Sequence, residues 1–202
     1  MNPVLLTPLV GLLYILIFGG LSLLRREGLS NQFALEGLAI TAAAAFFSLA
    51  TGIPLHPILF LVILYLVTMR ARLLVDAGNF LASRGRREAA LSIYGWALRL
   101  WPNRASRAVV LINRGVVELQ QGRLEAAIGS LEEALRAREH GRLGLKYEAA
   151  CRYNLGLAYG RSGRESEASR ELNEVMDLFP TSIYGQQASR ALQERPWRQG
   201  RP

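Results

Sequence analysis

Three stretches of the chain align without a gap: AGNFLASRGRREAALSIYGWALRLWP from Ala77 to Pro102, RGVVELQQGRLEAAIGSLEEALRARE from Arg114 to Glu139, and LGLAYGRSGRESEASRELNEVMDLFP from Leu155 to Pro180. In each, a glycine (Gly78, Gly115, Gly156) is followed seven residues later by another (Gly85, Gly122, Gly163). Five further on comes an alanine (Ala90, Ala127, Ala168), four more a large residue (Tyr94, Leu131, Leu172), and three more a small or apolar one (Ala97, Ala134, Val175). Such spacing describes two helices, A and B, crossing at a glycine that leaves no room for a side chain. The second glycine ends helix A in the left-handed conformation that other residues resist. The alanines let helix B approach its neighbours, and the large residues fill the space between. Pro102 and Pro180 close the first and third stretches.

This order of small, large and proline positions resembles the tetratricopeptide-repeat (TPR) motif, a helix–turn–helix unit of about 34 residues. The resemblance covers about residues 71 to 181 and implies an all-α fold. It predicts an α-solenoid of three repeats at about 71–104, 108–141 and 149–181, closed by a capping helix at 182–194. The whole repeat domain then spans 71–195, and 196–202 reads as a flexible tail. The step between equivalent glycines is 37 residues and then 41, so the linkers carry about three and seven extra residues. The second insertion, around Glu139–Lys146, contains Gly141 and Gly144 and reads as a surface loop.

Upstream the composition changes. From Val4 to Met69 the only charged residues are Arg25, Arg26, Glu27 and Glu36. Residues 1–70 therefore read as a membrane anchor of three transmembrane helices, at about 4–24, 37–55 and 55–70. The second is rich in small residues, and its Ala42–Ala45 run suits a helix packed closely between the other two. Glu36 reads as an interfacial carboxylate beside Arg25 and Arg26. No breaker lies between Pro57 and Arg84, which predicts that the third span runs on into the first repeat as one helix. Arg25, Arg26, Arg70 and Arg72 flank the spans as membrane-surface residues, and by the positive-inside rule they put the repeat domain in the cytoplasm and the N-terminus outside. The plasma membrane or an internal membrane such as the thylakoid fits equally. The net charge of +8 is uneven: Arg70 to Arg104 holds seven basic and two acidic residues, whereas Ala105 to Pro180 holds eleven of each. The basic excess lies next to the membrane segment, where anionic lipid attracts it.

The resemblance also implies a site. Partners of such repeats usually lie in the concave face lined by helix A. The corresponding positions here include Asn79 in the first repeat, Val109, Ile112, Val116 and Leu119 in the second, and Tyr153, Leu157 and Arg161 in the third. Their middle is apolar, which suits an amphipathic helix or hydrophobic peptide. Asn79 and Asn113 match two positions of the family's carboxylate clamp, but Val75, Ala150 and Asn154 stand where its basic residues belong, so chaperone-tail binding is not expected. The groove has a second reading, as core filled by the capping helix or the long loop. No phosphate loop, zinc-ligand spacing or nucleophile motif occurs, and His56 and His140 sit in separate loops. His56, in a proline turn, reads as a cap or a solvent-facing side chain rather than a ligand. The single Cys151 forms no intramolecular disulfide and reads as a buried thiol. The expectation is a non-catalytic adaptor without cofactor, metal, nucleic-acid or small-molecule substrate. Its partner is expected to be a membrane protein complex, which it assists in assembly or stability; a permanent structural subunit of such a complex is the alternative.

Overall fold

A computed structural model of the chain describes residues 3–24, 31–137 and 143–195. These residues form ten helices and no strand: α1 (Pro3–Leu24), α2 (Asn31–Thr51), α3 (Pro57–Thr68), α4 (Arg70–Ser83), α5 (Arg87–Arg99), α6 (Arg104–Gln120), α7 (Leu124–Leu135), α8 (Leu145–Arg161), α9 (Glu165–Leu178) and α10 (Ile183–Glu194). They divide into two compact units, Met1–Leu73 and Leu74–Pro202.

In the first unit α1, α2 and α3 each touch the other two. The packing stripe of α2 is narrow: Phe33, Gly37, Thr41 and Ser48. Any side chain at Gly11 would strike Thr41, and one at Gly37 would come within 2.9 Å of Ile15. Close approach is thus made by these two glycines. The Ala42–Ala45 run expected to make it is half or fully exposed, and α2 is not sandwiched between its neighbours. Tyr14 ties α1 to α3 through a 2.6 Å bond with the Thr68 hydroxyl. Tyr14, Phe33, Phe60 and Leu64 form the unit's core. Thr7, Thr41 and Ser48 are buried, while Leu9, Leu13, Leu16, Phe46, Leu49, Ile58 and Leu59 are exposed.

Three expectations change here. Only α2 is, among the described residues, long and apolar enough by itself to cross a membrane; Leu6–Leu21 of α1 forms a shorter apolar helix, and α3 has 12 residues. The helix expected to run unbroken from the third apolar segment into the first repeat is interrupted at Met69, so α3 and α4 are separate. Arg70, just past the break, donates to the Val67 carbonyl (2.7 Å) and grips Glu36 with both terminal nitrogens (2.6 and 2.8 Å). Glu36 therefore pairs with Arg70; Arg25 and Arg26, its expected neighbours, lie outside the described residues, as do His140, Gly141 and the 196–202 tail. His56 is the N-cap residue of α3, exposed, and its side chain makes no capping bond.

The second unit is a stack of antiparallel helix pairs, α4–α5, α6–α7 and α8–α9. Each pair crosses at its first glycine. A Cβ on Gly115 would lie 2.7 Å from Leu131, one on Gly156 would lie 2.8 Å from Leu172, and one on Gly78 would strike the Tyr94 ring. Tyr94, Leu131 and Leu172 are fully buried, as are Ala90, Ala127 and Ala168. After each A helix the chain turns on a left-handed glycine: Gly85 at φ 77°, Gly122 at 74° and Gly163 at 87°. The next residue's N–H reaches back to the last turn: Arg86 to Leu81, Arg123 to Glu118 and Arg164 to Tyr159, each at 2.9 Å. Helix α8 begins at Leu145, and Leu143 is 8 % exposed. The insertion expected as a surface loop is therefore partly the first turn of α8, with Leu143 packed into the core ahead of it. Ser182 caps α10, accepting from the Gly185 N–H at 2.9 Å.

Candidate protein-binding groove

The A-type helices α6, α8 and α10 stand side by side, since α8 packs on both α6 and α10. Helix α10 meets α9 and α8 as α8 meets α7 and α6, so it continues the stack rather than lying across the face. It meets the face at the α8 edge, through Tyr184 beside Tyr153.

Burial sorts the expected groove residues into two groups. Ile112 and Leu119, each 4 % exposed, belong to the core cluster that also holds Leu131, Leu155 and Leu172. Val109, Val116, Tyr153 and Leu157 are half-buried, and Asn79 and Arg161 are exposed. Val116 and Leu157 each follow their crossing glycine by one residue, Gly115 and Gly156, and so occupy equivalent positions on adjacent helices. The Tyr153 ring lies 5.8 Å from that of Tyr184 on α10, which extends the face with an aromatic residue not among those expected. Burial, the largest influence, pushes the Tyr153 hydroxyl above its ordinary pKa, partly opposed by Arg161. Arg161 lies across the end of α6, its guanidinium 3.4 Å from the Leu119 carbonyl, where the helix dipole favours a cation. Asn79 accepts the Tyr94 hydroxyl at 2.6 Å and so joins α4 to α5. Asn113 and Asn154 donate to carbonyls of their own helices, Val109 and Ala150, at 2.8 Å each. Arg72 is exposed at the start of α4.

The core beneath this face carries charges that the repeat pattern does not announce. Arg152, 6 % exposed, bonds Glu148 one turn earlier (3.2 Å) and Glu171 on α9 (2.7 Å). Burial by itself would lower the guanidinium pKa, but these bonds outweigh it and hold it above the ordinary value. Glu171 also receives Arg170, and Glu118, 3 % exposed, is held by Arg114 (2.8 Å) and Ser130 (2.7 Å). The spacing of four in Glu148–Arg152 and in Arg114–Glu118 is the local signal for these charges. Beside it the Cys151 thiol donates to the Leu131 carbonyl at 3.2 Å, and burial pushes its pKa up to about 12. This thiol is a packed core group. Nothing in the face resembles a nucleophile with its base, and the described residues hold no group of three His, Cys, Asp or Glu side chains placed to bind a metal.

An apolar face on a row of parallel helices suits an amphipathic helix laid along it. No curated protein matches the chain. The third repeat, α8–α9, lies beyond the span of the family match and stands on its own geometry, the Gly156–Leu172 crossing and the left-handed Gly163. Residues 69–140, which run from the start of α4 past the end of α7, match the tetratricopeptide-repeat family model, and this supports the tetratricopeptide-repeat family, a protein-interaction module, for that segment.

Proposed function

We propose that the protein is a membrane-anchored adaptor. Its repeat unit binds a segment of a partner protein in the face formed by Val109, Val116, Tyr153 and Leu157, and the partner belongs to a membrane complex whose assembly or stability the adaptor assists. The observation that carries the binding part is the half-buried apolar row on α6 and α8. An amphipathic helix laid on it would bury that row while meeting Arg161 at its edge.

The anchor rests on the large apolar side chains that the first unit turns outward. Large apolar side chains on its outside and hydroxyls at its helix contacts are stable where the surroundings are hydrocarbon. Helix α1 has 22 uncharged residues, about 33 Å at helical rise, and α3 reaches a comparable span only with its flanking residues. On this reading α1, α2 and α3 all cross the bilayer, with the repeat unit cytoplasmic and the N-terminus outside.

The test is a photo-crosslinking residue at position 157 in the full chain, with the double variant V116E/L157E as control. A defined adduct, lost together with co-purification of the same protein in the double variant while helicity is unchanged, supports the groove. Loss of helicity in the variant would show these residues to be core. A partner retained by the double variant at fixed, near-equal stoichiometry would favour a permanent subunit held through α1–α3.

A further inference from the structure

The first repeat carries an exposed aromatic and basic surface outside the groove. Trp96 is 57 % exposed and Trp101 85 %, with Leu100 exposed between them. The Arg99 guanidinium lies 5.8 Å from the Trp96 ring centroid. Arg104, at the start of α6, is exposed too. From Ala89 to Val117 the chain has no acidic residue. Arg107 and Arg114 in that stretch are paired with Glu133 and Glu118, whereas Arg99 and Arg104 make no ion pair among the described residues.

The backbone reinforces the oddity. Trp101 has φ 46°, in the left-handed region that favours glycine, and the chain does use glycine for the left-handed turns after α4, α6 and α8. After α5 an exposed tryptophan takes that conformation.

Its place in the unit is set by register. Gly78 lies against Tyr94 in an antiparallel pair, so Leu74 is level with Leu98, and both pack on one cluster. Leu100 and Trp101 are therefore at the end of the α4–α5 hairpin where the chain enters the unit. Leu74 is six residues past Thr68, the last residue of the apolar helix α3, a reach of at most about 20 Å even fully extended.

We infer that Trp96, Leu100 and Trp101, with Arg99 and Arg104, form a foot by which the repeat unit rests on an anionic bilayer surface. Indole rings partition to the level of lipid headgroups, with the ring body in apolar surroundings and the N–H still wet. Guanidinium groups with no ion pair among the described residues, Arg99 and Arg104, attract anionic headgroups, bidentately where these carry phosphate. With α3 and α4 separated by the break at Met69, the foot gives the repeat unit a second hold on the membrane that does not depend on a rigid helix. It extends the anchored reading above, and its test separates the two.

The test uses the full chain with W197F, which leaves Trp96 and Trp101 as the emitting tryptophans. It is reconstituted into phosphatidylcholine vesicles with or without roughly a third phosphatidylglycerol, containing lipid brominated high on the acyl chain. The foot requires about a twofold loss of indole emission in the anionic vesicles, a smaller loss in neutral ones, and abolition of that difference by R99Q/R104Q. Emission untouched by brominated lipid in both vesicles but open to aqueous iodide would overturn it. So would emission shielded from both quenchers, which would mean that protein covers the face. Alkaline extraction then reads the anchor separately. A chain that stays in the vesicles without lipid quenching keeps the anchor and loses the foot. A chain that washes out after showing anion-dependent quenching keeps the foot and loses the anchor.

Discussion

Placing a methyl group on each of two helical glycines should move stability in opposite directions. Gly129 lies in α7, and a Cβ there meets nothing within 4 Å. Gly129→Ala therefore gains the full difference in helix propensity, about 1 kcal/mol. Gly156 in α8 has the same propensity to gain, but its Cβ would lie 2.8 Å from Leu172 Cγ, 3.0 Å from Cδ2 and 3.3 Å from the Ala168 carbonyl oxygen. Apolar carbons rest at about 3.5–4.0 Å, so the helices must separate by most of an ångström or Leu172 must leave its rotamer. Leu172 is fully buried and has nowhere to go. Overpacking of this kind costs about 1–3 kcal/mol. Because the propensity term is common to both variants, their difference isolates that cost. In a unit the size of Leu74–Pro202 it corresponds to about 4 °C in Tm per kcal/mol. The assay is thermal unfolding of the full chain in detergent, followed by circular dichroism. Gly156→Ala should melt about 4–12 °C below Gly129→Ala. Equal, raised melting temperatures for the two would refute the close crossing and, with it, the reason for glycine at positions 78, 115 and 156.

Other outcomes follow from the same packing. Leu119→Glu should unfold the repeat unit, because it puts a charge into the core, while Leu157→Glu should leave helicity intact; far-ultraviolet dichroism of the two separates core from face. Arg152→Met leaves Glu148 and Glu171 buried with a lost partner and should cost about 3–5 kcal/mol in urea unfolding. Cys151 keeps its proton up to about pH 12 when folded, against an ordinary value of 9.0, so the folded state holds one more proton than the unfolded state between those limits. Stability should therefore fall as pH rises through that window, by up to about 1.4 kcal/mol per unit, and Cys151→Ala should flatten the fall. Ser182→Ala removes the cap of α10, and amide exchange in Ile183–Glu194 should quicken by about fivefold, the equivalent of roughly 1 kcal/mol.

The legible parts of this fold are those written at short, repeated spacing. Each crossing glycine and the residue that fills its notch are 16 positions apart, as in Gly115 and Leu131, and both lie inside one hairpin. The left-handed glycines sit next to the turns they make. Both signals survive in the third repeat, where the proline, the cap and the linker length all differ from those of the second. What depends on neighbours elsewhere in the chain was hidden. Ile112 and Leu119 occupy positions that face outward in an isolated repeat, yet α6 is packed by α5, α7 and α8 together, and these two residues are covered. Arg152 stands at the position of Leu111 in the preceding repeat, 41 residues earlier, and its burial makes sense only with Glu171 supplied from the next helix.

The break at Met69 shows the limit most clearly. No glycine or proline lies between Ile58 and Ala77, so propensity alone predicts a continuous helix. Arg70, immediately after the break, is fixed by Glu36, 34 residues upstream, and by the Val67 carbonyl behind it. A bidentate guanidinium–carboxylate pair is worth more than an exposed one, because partial burial strengthens it and both hydrogen bonds are directional. Shortening that side chain should therefore relax the break. Arg70→Ala releases Glu36 and the Val67 carbonyl at once, and nothing local then opposes a straight helix. Spin labels at exposed positions 62 and 76 report the outcome. A longer distance in Arg70→Ala than in the parent means that the pair holds the bend, whereas an unchanged distance assigns the break to the packing of α3 against Tyr14 through Thr68.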